Sequence, residues 1–546
     1  MIRTPVLIIG GGPVGLTLAI DLARRGQSCM LVEQRDQVTA HPKATLLGAR
    51  SMEYFRRWGL EDQIFASTIN TDLPYYIVFA TRLARQELSR FRSPSIREIR
   101  TRSPEAMARF RELAWSPYGK TQIGQQALEP ILLEAAEALP DIDLRRGWRF
   151  ENFSQDADGV TAEITHIATG RRESVRAGYL AACDGGGSTV RRALGIRYNG
   201  RGKMRANVSL LFRSPDFLKA HGKGVANLYF TFAPDSFGVF TAIDGKEIWN
   251  YQYYFIDPAK AEAPLDPEDA LHRAMGKSFE FELLQVTHWN HHQSVARKWR
   301  EGRAFLLGDA AHLFVPTGGV GMNTGIGDAC DLAWKLDAVL SGWGGEGLLE
   351  SYELERKPIA IRNSLSSAAN SDRIDMVMDE TEADIDRDDE LGVEMRARLT
   401  RKLRILSRQF SSAGVHLGYR YVESPIIVAD GSPEPPDDTA QVTPSTWPGS
   451  RAPHAWLDEG HSMLDFFGDG FVLVRFGGAA SRDEALMAAA AEAGVPLSVV
   501  ELQDARLARL YERRLVLVRP DGHVAWRGES APDDCTELIA TVTGRP

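Results

Sequence analysis

Three glycine-rich junctions in this chain each set a carboxylate beside backbone N–H groups. The first runs through Gly10, Gly12, Pro13, Val14 and Gly15 and is answered by Glu33, with Gln34 and Arg35 after it. The second is Asp184-Gly185, followed by Ser188 and Arg191. The third is Gly308-Asp309, followed by Pro316, Gly319, Gly321, Met322 and Asn323. Carboxylates accept hydrogen bonds from sugar-like hydroxyls, and a glycine turn that opens a helix offers free N–H groups and partial positive charge to an anion. In the first junction Gly10 permits the tight turn, Gly12 admits a pyrophosphate, Gly15 lets helix and strand pack closely, and Glu33 faces a ribose. That stretch says dinucleotide. Alone it does not choose between FAD and NAD.

Proton-transfer chemistry needs a different set of side chains. The stretch 206–297 holds His291, His292, Tyr229, Tyr251 and Tyr253, any of which could take or share a proton. His288, Trp289, His291 and His292 cluster without a carboxylate or cysteine at metal spacing, so they read as strand and pocket edge, not as a metal site. The four cysteines, Cys29, Cys183, Cys330 and Cys535, are scattered and contain no CxxC pair. This argues against a disulfide framework and fits a reducing cytoplasm.

Regular elements must position these groups. Val6–Ile9 and Met30–Val32 are apolar runs flanking a helical pattern with Leu18, Leu22 and Ala23 on one face. Arg50–Gly59 reads as a helix, and Gln122–Ala138 as an amphipathic helix with Gln125 and Gln126 at its start. Residues 142–182 read as antiparallel strands closing on Tyr179–Cys183. Residues 206–256 are dense in aromatic and β-branched residues and read as strands of a separate sheet. Arg303–Leu307 reads as a strand, Thr324–Leu340 as a helix and 350–426 as helical, with the acidic run 379–390 as a solvated face. A linker rich in Pro, Ser, Asp and Gly spans 429–453. Beyond it come a strand at 470–475, a helix at 482–494, and strands at 497–502, 515–519 and 523–526.

At 546 residues the chain is long enough for two or three domains with sizeable cores. Its formal net charge of −9 disfavours a nucleic-acid partner. No apolar run reaches membrane-spanning length, and the first strand begins too early for a signal peptide.

The three ordered junctions resemble those of the class A flavoprotein aromatic hydroxylases, the para-hydroxybenzoate and phenol hydroxylase type. Gly10, Gly12, Gly15 and Glu33 fit that family's FAD fingerprint. Asp184-Gly185 fits its DG motif, linked to both FAD and the nicotinamide nucleotide. Gly308-Asp309 fits its GD motif, where Asp309 would meet the ribityl chain. Gln125 fits a flavin-contacting glutamine, and Pro316–Asn323 the loop beside the isoalloxazine. Where the family often has Pro-Arg-Ala, this chain has Pro42-Lys43-Ala44. Lysine keeps the charge and loses the planar fork, which leaves Arg50 as the better nucleotide contact.

The resemblance implies an α/β fold. It consists of a Rossmann-like FAD-binding domain (1–75, 105–195 and 298–372) with an inserted antiparallel β-sheet substrate domain (76–104 and 196–297). A helical connection (373–428), the linker (429–453) and a thioredoxin-like C-terminal domain (454–546) without redox cysteines complete it. It further implies FAD as cofactor, NADPH or NADH as transient co-substrate, O2, a small aromatic (phenolic) substrate, and hydroxylation through a flavin C4a-hydroperoxide; it admits a homodimer. The rival readings are a flavin oxidase or dehydrogenase on a related small molecule and a non-catalytic flavin-binding protein. The sequence does not identify the aromatic substrate or rank the five candidate bases.

Overall fold

The computed structural model describes residues 1–38, 43–254, 265–477 and 483–546. His41, Pro42, Phe255 and Arg482 lie outside the described residues. The described residues form a mixed α/β fold with three sheets. In the first, Ala304–Leu306, Arg172–Ala182, Ile2–Ile9, Cys29–Glu33 and Ile142–Arg146 run parallel side by side. Val6, Leu7, Ile8 and Ile9 are buried in the core of the sheet, as the uninterrupted apolar run requires. Ile142–Arg146, expected to be antiparallel, pairs in parallel with Cys29–Glu33. The antiparallel pairing begins with Trp148–Gln155 and Val160–His166. Pro13–Arg24 is the helix after the first turn, and it packs on the long helix Gly321–Leu340. That helix begins three residues before the expected Thr324, so Gly321, Met322 and Asn323 form its first turn.

The second sheet holds the aromatic strands. Its order runs His312–Leu313, Glu282–Ala296, Tyr198–Arg213, Ile248–Tyr254, Gly238–Ala242, Leu228–Thr231, Tyr75–Ala80 and Glu87–Ser93. Alternation sends successive side chains to opposite faces. Tyr229, Phe240, Trp249 and Tyr251 fill one core with Phe212 and Phe217. Phe230, Val239 and Tyr254 take the other face, against Ile374 of helix Glu346–Asp379 and Met395 of helix Glu390–Leu403. The third sheet, Leu497–Leu502, Phe471–Phe476, Leu515–Val518 and Val524–Gly528, carries helices Asp483–Glu492 and Cys535–Val542.

A buried ionic network joins this third sheet to the first part of the chain. Arg519 Nη1 donates to Glu355 Oε1 at 2.6 Å, and Arg519 Nη2 to Asp521 Oδ2 at 2.7 Å and Asp331 Oδ1 at 3.3 Å. Lys335 Nζ donates to Asp331 Oδ2 at 2.8 Å and Glu355 Oε2 at 2.6 Å. Asp331 and Lys335 lie on the helix whose first turn faces the glycine loop, so the C-terminal sheet is braced against that helix. Among the described residues no helix is long and apolar enough to cross a membrane.

Candidate functional site

All three junctions open into one cavity of about 910 Å3. At one end it is lined by Gly10, Gly12, Pro13, Val14, Glu33, Gln34 and Arg35. Asp184, Gly185, Asp309 and Gln125 follow, then Pro316, Gly319, Gly321 and Met322. At the other end lie Tyr75, Leu228, Phe230, Thr241, Asn250, Gln252, Tyr254, Trp289 and His292.

The first junction is shaped by backbone geometry. Gly10 has φ of +108°, and a Cβ there would lie 2.3 Å from Cys183 O. Gly15 stands outside the cavity lining, and a Cβ on it would strike Gly10 O at 1.9 Å, so it is a packing residue. A Cβ on Gly12 would meet nothing within 4 Å: the space in front of it is open cradle. Gly12 caps helix Pro13–Arg24 with no side-chain hydrogen bond, and the N-cap Val320 of helix Gly321–Leu340 likewise supplies none. Two helix N-termini without side-chain caps thus border one cavity, an arrangement that favours an anion at each.

The carboxylates are held by their own elements. Glu33 Oε2 accepts from Gly11 N at 2.7 Å, and Oε1 from Arg35 N at 2.9 Å and Nε at 3.1 Å. Oε2, with one donor, keeps a second lone pair for a hydroxyl. Asp184 Oδ2 accepts from Thr189 N at 2.7 Å at the start of helix Thr189–Ala193, while its buried Oδ1 has no partner among the described residues. Burial raises the Asp184 carboxyl above its ordinary value, against the hydrogen bonds that lower it. Asp309 opens toward the cavity; desolvation by the surrounding protein raises its carboxyl too, opposed by His312 and Lys43. An orphaned acceptor, an open glycine cradle and the two helix N-termini fit a flavin dinucleotide.

A buried triad behind the third junction escaped sequence reasoning. Asp328 Oδ2 accepts from Gly308 N at 3.2 Å and bonds His312 Nε2 at 2.8 Å; Asp328 Oδ1 accepts from Arg356 Nε at 2.9 Å. Burial opposes its charge, but Arg356 and His312 hold the Asp328 carboxyl below its usual range. This pins the Gly308-Asp309 turn. Asp328 and His312 are 16 residues apart in sequence, and no spacing rule signals the pair.

Several expected site residues sit elsewhere. Arg50 is buried away from the cavity: Nη1 donates to Glu53 Oε2 at 2.9 Å and Nη2 to Asp521 O, anchoring the C-terminal segment. Asn323 uses its whole amide as a staple. Its Oδ1 accepts from Gly48 N and Ser51 Oγ, both at 2.7 Å, and its Nδ2 donates to Leu46 O at 3.0 Å and Gly319 O at 2.7 Å. Tyr229 donates to Gly224 O at 2.6 Å and Tyr251 to Ser236 O at 2.9 Å, both buried on the far face of the sheet, where burial raises both phenols. Tyr253 shares that face, in edge contact with Tyr251 at 6.4 Å. His291 is buried against the Asn207 amide, and burial pushes it down to about 3, so it stays neutral. Of the five candidate bases only His292 lines the cavity.

The strand Ile248–Tyr254 explains the errors. Asn250, Gln252 and Tyr254 face the cavity, and Trp249, Tyr251 and Tyr253 face the core. Asn250 and Gln252 share one parity, but Leu228, Phe230 and Val239 of the neighbouring strands line the cavity too, so polar parity does not by itself mark the cavity side. Lys120, Gln409 and Phe410 also line the cavity and were not singled out.

The chain is similar to known proteins along its length. The family described as FAD binding domain matches residues 3–365, and that described as aromatic-ring hydroxylase, C-terminal, matches residues 445–546. The chain is 33% identical to "FAD-dependent monooxygenase apdD" of Emericella nidulans, over 99% of this chain and 90% of that one. It is 33% identical to a "Putative polyketide hydroxylase" of Streptomyces halstedii, over 98% and 95%. Among solved structures, "Chromopyrrolic acid-soaked RebC with bound 7-carboxy-K252c" superimposes with a TM-score of 0.90 at 38% identity, covering 100% of both chains.

Proposed function

Because the chain belongs to the FAD-dependent aromatic-ring and polyketide hydroxylases, the class A flavoprotein monooxygenases, we propose that it hydroxylates a polycyclic aromatic of the polyketide type. The electron donor is NAD(P)H and the oxidant O2. One oxygen atom enters a ring C–H bond as C–OH, the other leaves as water with the hydride's hydrogen and one proton from solvent, and NAD(P)H is oxidised to NAD(P)+. The carrying observation is the single cavity that joins the glycine junctions to the polar-aromatic face of the second sheet. The Streptomyces halstedii relative's description supports the substrate class.

FAD, when bound, supplies the hydride acceptance and oxygen activation. The chain's own residues bind and orient. Gly10, Gly12, Pro13 and Val14 cradle the pyrophosphate at a helix N-terminus, with Gly15 packed behind them. Glu33, flanked by Gln34 and Arg35, faces the adenosine ribose. Asp309 takes the polyol chain, held by the Asp328 triad, with Gln125 and Asp184-Gly185 beside it. Pro316, Gly319, Gly321 and Met322 present the second helix N-terminus to negative charge on the ring system. Phe230, Tyr254 and Trp289 exclude water around the aromatic substrate, and His292 offers a hydrogen-bonding edge.

In domain terms this is a Rossmann-like FAD domain with an inserted sheet and a thioredoxin-like tail. The parallel strands around the first turn and the mixed four-stranded C-terminal sheet support that reading. The test is NADH and NADPH oxidation by the FAD-loaded protein with and without a panel of hydroxylated anthraquinones and phenols. Expected are aromatic-stimulated oxidation and a product heavier by one oxygen. Stimulated oxidation with no oxygenated product from any aromatic would sink the hydroxylase in favour of an oxidase.

A further inference from the structure

Lys120 is the one cavity-lining cation that comes from the strap between the glycine junctions and the aromatic sheet. The other described cations of the lining are Arg35, Lys43 and Arg149; Arg35 is engaged by Glu33 and Arg149 by Glu151. Lys120 stands one residue before a backbone clamp, in which Leu47 N donates to Thr121 O at 2.8 Å and Thr121 N to Leu47 O at 3.0 Å. Two residues on, Gln122 Nε2 donates to Ala242 O at 2.8 Å, tying the strap to the rim of the second sheet. The backbone beneath Lys120 is therefore fixed on both sides of the cavity.

The side chain is half-buried. Its nitrogen donates to Phe410 O and lies 5.9 Å from the Phe410 ring centroid. No carboxylate among the described residues comes within ion-pair distance. Of the charged groups around it, Glu112 in the turn Arg111–Ala114 favours its charge from farther off, and His416 on helix Ala413–Leu417 is kept neutral by burial. An amine with one carbonyl partner retains two further hydrogen-bonding positions. A half-buried cation with no local anion, on the wall of a substrate cavity, is a site for an oxyanion.

Resting on the hydroxylase reading above, we propose that the Lys120 ammonium binds the substrate as its oxyanion. Its side-chain nitrogen donates to the oxygen of a ring hydroxyl acidified by a conjugated carbonyl, and holds that oxygen, ionised, against the aromatic wall. The substrate O–H bond breaks, its electron pair stays on oxygen and its proton passes to solvent; nothing is oxidised or reduced. Ionising such a hydroxyl enriches the ring in electrons, as oxygen transfer to it requires. Burial moves the amine down to about 8, so the ammonium still predominates at neutral pH.

The probe is alizarin, whose colour reports ionisation of its carbonyl-conjugated hydroxyl, with alizarin 2-methyl ether as control. Both are titrated into FAD-loaded protein without NAD(P)H. Wild type is expected to bind alizarin as the anion, lowering its apparent pKa by ~1 unit or more. Lys120→Met loses that shift and binds alizarin ~10-fold more weakly, while the methyl ether binds both proteins within ~2-fold. Lys120→Arg keeps the charge and the shift, but alizarin binding no longer weakens as pH rises through about 8. Retained FAD and an unchanged far-UV spectrum certify the variants' folds, and Lys120→Arg decides if Lys120→Met loses either. The proposal is overturned if Lys120→Met keeps the shift, or if wild type shows none. Absence of oxygenated product with these binding results intact would fell the hydroxylase reading and leave the oxyanion site standing.

Discussion

Replacing Arg519 by Met tests how the C-terminal sheet is held. The guanidinium is fully buried among three carboxylates, Glu355, Asp521 and Asp331, with Lys335 as the second cation. Desolvation raises Asp331 to about 7, opposed by Lys335, so a shared proton eases the excess of carboxylates. Despite burial, Arg519 and Lys335 hold Glu355 below its usual range. Methionine fills much of the volume but leaves one cation for three carboxylates. Removing one partner of a buried pair costs about 3–5 kcal/mol, a large share of an ordinary domain's 5–15. The variant's folded state must also take up protons that wild type does not bind. Its stability deficit therefore narrows as pH falls, by about 1 kcal/mol or more between pH 8 and pH 6. Urea unfolding followed by circular dichroism at both pH values measures this, with FAD retention recorded alongside. A deficit under about 1 kcal/mol at pH 8, or one that grows toward pH 6, would refute the reasoning.

Asp331→Asn should have the opposite sign. Folding raises the carboxyl from 3.8 to about 7, so the folded state binds the extra proton and wild type loses stability as pH climbs through that window. The amide variant is expected to match wild type near pH 4 and to equal or exceed it at pH 8; a midpoint below wild type at pH 8 alone would count against this. Asp328→Asn should raise the FAD dissociation constant about 10-fold or more by loosening the Gly308-Asp309 turn, since hydrogen bonds to charged groups are worth about 1.5–3 kcal/mol. Equilibrium dialysis with FAD checks it, and unaltered affinity would remove the triad's role. Tyr251→Phe should lose about 1 kcal/mol of stability and leave the pH dependence of kcat unchanged, because its hydroxyl serves Ser236 O on the core face. A displaced kcat profile would return Tyr251 to the list of bases.

The dinucleotide cradle was legible because its chemistry is local. Gly10, Gly12 and Gly15 act through backbone geometry, and a strand, turn and helix adjacent in sequence suffice to declare it. The same holds for Gly308-Asp309 and, to within three residues, for the start of the helix that opens at Gly321. What failed was parity and pairing. Tyr229, Tyr251 and Tyr253 belong to strands rich in aromatics on both faces, and hydrophobicity alone did not show which face met the cavity. Arg50 and Asn323 looked like ligand contacts, yet their partners, Asp521 in one case and Gly48 and Ser51 in the other, lie hundreds of residues away.

By itself the sequence determined the order of the three junctions, the aromatic strands and the cysteine-poor tail, since each is written in short-range patterns of glycine, alternation and composition. Only the tertiary structure decided which side of the sheet the cavity occupies, that Asp328 and Arg356 lock the third junction, and that Lys120 lines the cavity. Those facts depend on packing between elements distant in the chain, where a side chain's role is set by the partners that burial forces upon it.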